Sequence, residues 1–171
     1  MVAWDFHDLL QSLDLGRSLS MGQARELAIV AEEVNFDAGV EVFHEGDPPS
    51  GLFIVLSGEV EILKNDSDGN AWRIATLERN AVFGEMGLIA DYPRSATARA
   101  RTFCRLLTIP RERFARLLKN ESLAAFKVVH AFALILTERL RRMDSRVAEL
   151  MCAEKKRGEE EASRDMPDWT S

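Results

Sequence analysis

Two short stretches of the chain carry residue types that could together bind a phosphorylated sugar. They are residues 83–88 (FGEMGL) and residues 92–97 (YPRSAT). Gly84 allows the backbone to approach a ligand closely, because glycine has no side chain to intervene. Arg94 offers a planar fork of donors that suits phosphate oxygens, and Ser95 adds a hydroxyl. The two stretches therefore predict a site for a phosphate group.

Glu85 suggests what accompanies the phosphate. A short helix beginning at Glu85 would direct backbone N–H groups at an anion. A carboxylate beside that anion would repel it, so Glu85 fits only if it accepts hydrogen bonds from neutral hydroxyls, which ribose has. The alternative is that Glu85 and Arg94 pair with each other on a loop, with no ligand involved.

The same residues carry a resemblance to a known family. Residues 83–88 and 93–97 closely resemble the phosphate-binding cassette of the cyclic-nucleotide-binding domain, which occurs in catabolite gene activators, regulatory subunits of cAMP-dependent kinase and nucleotide-gated channels. Upstream, residues 45–48 (EGDP) and 52–60 (LFIVLSGEV) are similar to that family's early hairpins. The resemblance covers residues 33 to 150, approximately.

The resemblance implies which residues hold each part of a 3′,5′-cyclic nucleotide. By resemblance, the ribose binds at Gly84 and Glu85, and the Glu85 carboxylate accepts a hydrogen bond from the 2′-hydroxyl. The resemblance gives the cyclic phosphate to two side chains and two backbone amides, namely Arg94, Ser95 and the amides of Met86 and Ala96. Phe83 begins the cassette and is included in the predicted site.

The resemblance also implies that a long C-terminal helix covers the base, with Met143 and Asp144 at the base-facing positions. Catabolite activators have two hydroxyl residues there to read adenine, so this chain departs from the pattern. Met143 could cover the base, and Asp144 could accept from the N–H groups of guanine. Asp144 could instead pair with Arg141 one turn earlier. Both cAMP and cGMP therefore remain candidate ligands.

Composition is that of an ordinary folded domain. The 171 residues are 46% hydrophobic, enough for one core without disulfides or metal, and the formal net charge of −6 argues against non-specific nucleic-acid binding. Cys104 and Cys152 are expected to be reduced thiols. Residues 1–15 do not resemble a signal peptide, and the longest apolar run, 128–136, is too short to span a bilayer. We expect a cytoplasmic protein with no cofactor, no metal and no membrane contact.

The first two thirds of the chain read as helices followed by strands. Amphipathic helices are predicted over 5–13 and 21–32, the second capped by Ser20. Alternating apolar residues then predict several short antiparallel strands separated by turns. The pairs and triplets that carry this alternation are Val40/Val42, Val60/Ile62, Trp72/Ile74 and Ala96/Ala98/Ala100. The predicted fold class is α+β, an antiparallel jelly-roll barrel flanked by N-terminal helices and a long C-terminal helix.

After Ile109 the period becomes helical. One helix is predicted from Pro110, and a long one from 120–122 to about Cys152. The long helix has apolar residues stepping by four and three, as in a coiled coil: Val129, Ala133, Leu136, Leu140, Met143, Val147 and Leu150. A second stripe is expected to pack on the barrel: Phe126, His130 and Leu134. The coiled-coil residues predict a homodimer, and the alternative is that they pack against the N-terminal helices of the same chain.

The predicted domains are 1–154 and a charged, disordered tail at 155–171. We expect no helix-turn-helix domain after the long helix, and therefore no direct DNA binding. Basic residues on that helix read as a solvated flank rather than a nucleic-acid contact: Arg139, Arg141, Arg142 and Arg146. The histidines, His7, His44 and His130, lie in unrelated segments without metal-ligand spacing, and His130 is expected in the core. An enzyme is not expected.

The sequence thus predicts a cyclic-nucleotide receptor that acts in signal transduction, transmitting ligand binding through its long helix to an unidentified protein. Two alternatives remain open. One is an interaction scaffold that keeps the fold but binds no nucleotide, and the other is a sensor fragment of a transcription regulator.

Overall fold

The computed structural model describes residues 9–10, 13 and 19–164, with the backbone alone for 150 and 154–164. The chain divides into two compact units, Met1–Phe132 and Ala133–Ser171. No helix among the described residues is long and apolar enough to cross a membrane.

The first unit contains all the strands found among the described residues. Its helices are α1 (Met21–Val30), α2 (Met86–Ile89), α3 (Arg111–Lys119) and the start of α4 (Leu123–Arg164). The strands are β1 (Glu32–Phe36), β2 (Glu41–Phe43), β3 (Gly51–Ser57), β4 (Val60–Asn65), β5 (Ala71–Leu77), β6 (Val82–Phe83), β7 (Thr97–Ala100) and β8 (Cys104–Pro110).

The strands form two separate four-stranded antiparallel sheets, ordered β1-β8-β3-β6 and β2-β7-β4-β5. The predicted class of helices with antiparallel sheet is confirmed, but the closed barrel is wrong. Each sheet keeps two edge strands of its own, since consecutive strands such as β1 and β2 belong to different sheets and do not pair with each other. The inner faces share a core that includes Phe53, Val60 and Leu106.

Strand β3 departs from simple alternation. Its residues Gly51 to Leu56 are all buried, so both of its faces are covered. It lies between β8 and β6 within its sheet, and α2 and α3 both contact it. Because β3 is central and covered by helices, it reads as a continuous apolar run rather than a half-buried strand.

The predicted helix after Ser20 is confirmed as α1. Ser20 Oγ accepts from the Gln23 N–H, and the Gln23 side chain accepts from the Ser20 N–H, which is a capping box. The helix ends at Val30, because Glu32 already belongs to β1. The other predicted helix, at 5–13, lies almost entirely outside the described residues.

The start of α4 packs on the first unit through a different stripe from the one predicted. Phe126, His130 and Leu134 are exposed. The buried residues are Ala124, Ala125, Val128 and Phe132. These residues recur at steps of one, three and four along the helix, so they form one buried face. The expectation of a buried His130 is therefore also wrong.

Helix α4 begins close to the predicted position but ends later than predicted. Ser122 Oγ accepts from the Ala125 N–H and caps the first turn. The helix continues to Arg164 rather than ending near Cys152. The predicted disordered tail at 155–171 stays a prediction. Residues 153–164 are mostly alanine, glutamate, lysine and arginine, which are strong helix formers. Residues 165–171 lie outside the described residues.

Candidate ligand-binding site

A sharp turn joins β6 to α2 and carries the first predicted site residues. Gly84 has a φ of 72°, in the left-handed region that favours glycine. A Cβ at this position would lie 2.7 Å from Arg94 Nη1 and 3.1 Å from the Gly51 carbonyl oxygen. Both the conformation and the close approach therefore require glycine. The next residue, Glu85, is 6% exposed.

The short helix after this turn is confirmed as α2. Within it, the Gly87 N–H donates to the Gly84 carbonyl at 3.2 Å, and the Leu88 N–H donates to the Glu85 carbonyl at 3.0 Å. These two amides hold the turn together. The amide assigned to the phosphate by resemblance, that of Met86, is not in either bond, and the Met86 side chain is 48% exposed.

Arg94 is buried beneath this turn, with 5% of its surface exposed. Its Nη1 donates to the Gly84 carbonyl at 3.0 Å, and its Nη2 donates to Ser50 Oγ at 3.0 Å and to the Gly51 carbonyl at 2.8 Å. The guanidinium carbon lies 4.0 Å from the centre of the Phe43 ring. The arginine therefore joins three segments that are distant in sequence: 43, 50–51 and 84.

The Arg94 guanidinium retains capacity for a further acceptor. Arginine has five N–H donors, and the three bonds above use three of them. Its Nε is buried without a hydrogen-bond partner among the described residues. A buried donor without a partner loses the hydrogen bond that water would supply, which costs roughly 1–3 kcal/mol. An anion that reached Nε would remove that cost.

Burial lowers the pKa of the Arg94 guanidinium, while the carboxylates of Asp47 and Glu85 raise it in part. Arginine nevertheless stays protonated in proteins, so the site keeps a buried positive charge. Glu85 and Arg94 both lie outside the helices and strands and both are buried, so the alternative of a Glu85–Arg94 pair on a loop stays open. An electrostatic interaction between the two is part of the arrangement.

The turn at 45–47 fixes the second half of the cassette. The Arg94 N–H donates to the Asp47 carbonyl at 2.8 Å, and the Gly46 N–H donates to the Arg94 carbonyl at 2.9 Å. One residue further along, the Ser95 carbonyl accepts from Lys64 Nζ at 2.7 Å. The backbone around Arg94 and Ser95 is thus held on both sides, and the Ser95 side chain is left exposed.

Lys64 also pairs with Glu45, which lies in the same turn. This hydrogen bond lowers the pKa of the Glu45 carboxyl below its usual range, and burial opposes the effect. Glu45 is therefore ionised at neutral pH. The Glu45 N–H donates to Thr97 Oγ1 at 2.9 Å, so the turn also holds the residue that begins β7.

The structure places the predicted site residues in two groups. In the first unit, Gly84 accepts a hydrogen bond from the Arg94 side chain, Glu85 interacts with it electrostatically, and Phe83 is stacked on Phe53 with ring centres 5.4 Å apart. The members of this group are Phe83, Gly84, Glu85, Met86, Arg94, Ser95 and Ala96. Met143 and Asp144 lie in the second unit and are exposed. Their predicted role against the base stays a prediction.

Sequence reasoning missed several residues that build the site: Phe43, Ser50, Gly51 and Lys64. They lie far from the cassette in sequence, and only the pairing of the strands brings them to it. One signal was available, because Pro48-Pro49 followed by Ser50-Gly51 marks a break before β3. No pattern indicated that Gly51 would offer its carbonyl to Arg94. Among the described residues, no group of three histidine, cysteine or acidic side chains could hold a metal ion.

Comparison with known proteins gives concordant results. The sequence matches the cyclic nucleotide-binding domain family over residues 33–121. A cAMP-dependent protein kinase regulatory subunit of Mucor circinelloides is 35% identical over 109 residues, which is 64% of this chain and 25% of the relative. The chain therefore spans about a quarter of the length of this curated relative.

Solved structures are similar in fold. The catabolite activator protein of Thermus thermophilus has a TM-score of 0.71 and 28% identity, covering 81% of this chain and 63% of that one. The regulatory domain of Toxoplasma gondii PKA, solved with cAMP, has a TM-score of 0.61 and 27% identity, covering 66% of this chain and 42% of that one. Together with the cassette geometry around Arg94, these matches place the chain in the cyclic nucleotide-binding domain family.

Proposed function

We propose that this chain is a receptor for a 3′,5′-cyclic nucleotide, cAMP or cGMP, and needs no other cofactor. The observation that carries the proposal is the buried Arg94, which retains a Nε donor beneath a glycine-dependent turn. A buried cation with an unused donor suits a phosphate oxygen. The solved relative from Toxoplasma gondii contains cAMP, which supports cAMP as the first ligand to test.

Within this proposal the phosphate binds at Arg94 and Ser95, with the amides of Met86 and Ala96. The ribose lies at Gly84 and Glu85, where the Glu85 carboxylate accepts from the 2′-hydroxyl. The exposed Met143 and Asp144 cover the base. Asp144 can accept from the N–H groups on the Watson–Crick edge of guanine, whereas adenine offers only its 6-amino group as a donor, so an effect of Asp144 would favour cGMP.

A calorimetric titration with cAMP, cGMP and cyclic di-GMP tests the proposal. One of the two mononucleotides should bind with saturation at one site per chain, and cyclic di-GMP should bind at least tenfold more weakly. If none of the three binds, the receptor proposal fails, and the interaction scaffold without nucleotide becomes the better reading.

The Glu85 assignment has its own prediction. Glu85→Gln keeps the shape of the side chain but removes a charge-assisted hydrogen bond, worth roughly 1.5–3 kcal/mol. The parent should bind a 2′-deoxy cyclic nucleotide less tightly than the ribo form, and the variant should discriminate less between them. Calorimetry with both ligands measures this. Equal discrimination by parent and variant would show that Glu85 does not read the 2′-hydroxyl.

We further propose that the second unit forms a homodimer and transmits ligand binding to a protein partner. Its predicted coiled-coil residues include three that expose more than half of their surface, Leu140 at 59%, Met143 at 64% and Val147 at 52%. A second copy of α4 would cover them. In a parallel pair, Arg139 would lie beside the partner's Asp144, so the flanking charges are complementary.

A further inference from the structure

Helix α3 begins with an arginine that lies outside the cassette but holds it. The Nη1 atom of Arg111 donates to the carbonyl oxygens of Gly87 at 2.6 Å and Ala90 at 2.7 Å. Its Nη2 lies 3.5 Å from the Asp91 carboxylate. One guanidinium therefore binds the C-terminal end of α2 at two backbone positions and one side chain.

These contacts matter because α2 is very short. Four residues are too few for a helix that is stable alone, since nucleation is costly and few internal bonds form. The carbonyls of the last turn also lack partners within the helix. A cation there supplies donors and interacts favourably with the negative end of the helix dipole. Arg111 meets both needs of α2.

Arg111 and Arg94 act on the same two segments from opposite ends. Arg94 binds the Gly84 carbonyl before α2, whereas Arg111 binds carbonyls at its end. The second shared segment is Ser50, whose carbonyl accepts from the Arg111 N–H at 2.9 Å and whose Oγ accepts from Arg94 Nη2 at 3.0 Å. A shift of the cassette around Arg94 would therefore act on Arg111 through both segments.

The element that carries Arg111 is well placed to receive such a shift. Phe114, one turn later in α3, is fully buried and anchors that helix. Helix α3 ends at Lys119, and three residues separate it from the start of α4 at Leu123. A shift of the cassette that reached Arg111 would therefore act on the first residue of α3.

We propose that Arg111 is a positioning residue that fixes the cassette helix and couples its occupation by ligand to α3. The coupling rests on the proposed nucleotide-binding function, whereas the positioning does not. Arg111→Gln removes the charge and the fork while keeping a polar side chain. Arg113→Gln is the matched control, because Arg113 lies in the same helix but pairs with Glu32 of β1.

Hydrogen exchange without nucleotide tests the positioning. The amides of 86–90, including the Ala90 N–H that bonds to Met86, should exchange about tenfold faster or more in Arg111→Gln, the effect expected from losing a charge-assisted hydrogen bond. Arg113→Gln should match the parent, and Arg111→Lys should be intermediate because it keeps the charge but not the fork. Parent-like exchange in Arg111→Gln would overturn the positioning role. If circular dichroism shows that Arg111→Gln is unfolded, Arg111→Lys provides the comparison.

Hydrogen exchange with saturating cAMP tests the coupling. In the parent, nucleotide should change exchange at both 86–90 and 111–119, whereas Arg111→Gln should keep the first response and lose the second. A parent-like response at 111–119 in Arg111→Gln would overturn the coupling. If the parent binds no nucleotide in calorimetry, the proposed function and the coupling both fail. The nucleotide-free comparison still decides the positioning.

Discussion

Replacing Arg94 by alanine is expected to weaken cyclic-nucleotide binding by about 2–5 kcal/mol, roughly 30- to 5,000-fold, because a desolvated phosphate loses its charged partner. The loss should be measured by calorimetry with whichever nucleotide binds the parent. Arg94→Lys keeps a charge but not the planar fork, so it should recover only part of the affinity. If Arg94→Ala binds as tightly as the parent, the assignment of the phosphate site is wrong.

Two controls separate this effect from a general disturbance. Arg101→Ala removes another arginine of the first unit, one that forms an ion pair with Glu59 at 3.0 Å on the surface. Surface pairs contribute roughly 0–1 kcal/mol, so this variant should bind like the parent. Because Arg94 also joins Gly84 to Ser50 and Gly51, thermal unfolding of Arg94→Ala should be measured alongside. Weak binding by a folded protein is the result that supports the site.

The second large effect is expected on assembly. Leu140→Glu places a charge in the predicted coiled-coil contact, where it would be desolvated without a partner, at a cost of several kcal/mol. Sedimentation should show a dimer for the parent and a monomer for the variant. Ser145→Glu is the matched control, because it adds the same charge to an exposed position of α4 outside the coiled-coil residues. It should leave the dimer intact.

The outcomes for Leu140→Glu distinguish assembly from signalling. A variant that stays dimeric would show that the coiled-coil residues are not the contact, and a monomeric parent would favour packing within one chain. If nucleotide and dimer are coupled, linkage requires the effect to be reciprocal. Nucleotide should then shift the dimer affinity of the parent, and the monomeric variant should bind nucleotide with altered affinity. Unchanged affinity would leave the dimer real but uncoupled from the ligand.

The sequence alone predicted the short helix after Glu85 and the approximate beginnings of α1, α3 and α4, whereas the ligand roles of the cassette residues stay predictions. Residue type and spacing indicated Gly84, Glu85 and Arg94 as candidate site residues. Few residues other than glycine adopt a left-handed turn, and few other than arginine offer a planar fork of donors. The cap at Ser20 and the start of α3 after Pro110 were also readable, since both depend on local backbone chemistry. Each of these features is determined by residues close together in the chain.

The tertiary structure decided what depends on distant contacts. Which residues of α4 are buried could not be read from periodicity, because its apolar residues allow more than one stripe, and the buried face that includes Ala124, Ala125 and Phe132 is neither of the two predicted. Closure of the barrel depended likewise on which strands pair, and two separate sheets result. The side-chain hydrogen bonds of Arg94 to Ser50 and Gly51, and those of Arg111 to the end of α2, connect residues more than twenty positions apart. Only the bond from Arg94 to Gly84 is shorter in sequence. Local sequence determines which element carries a charged side chain. Only the packing of the strands and helices determines which carbonyl groups accept hydrogen bonds from it.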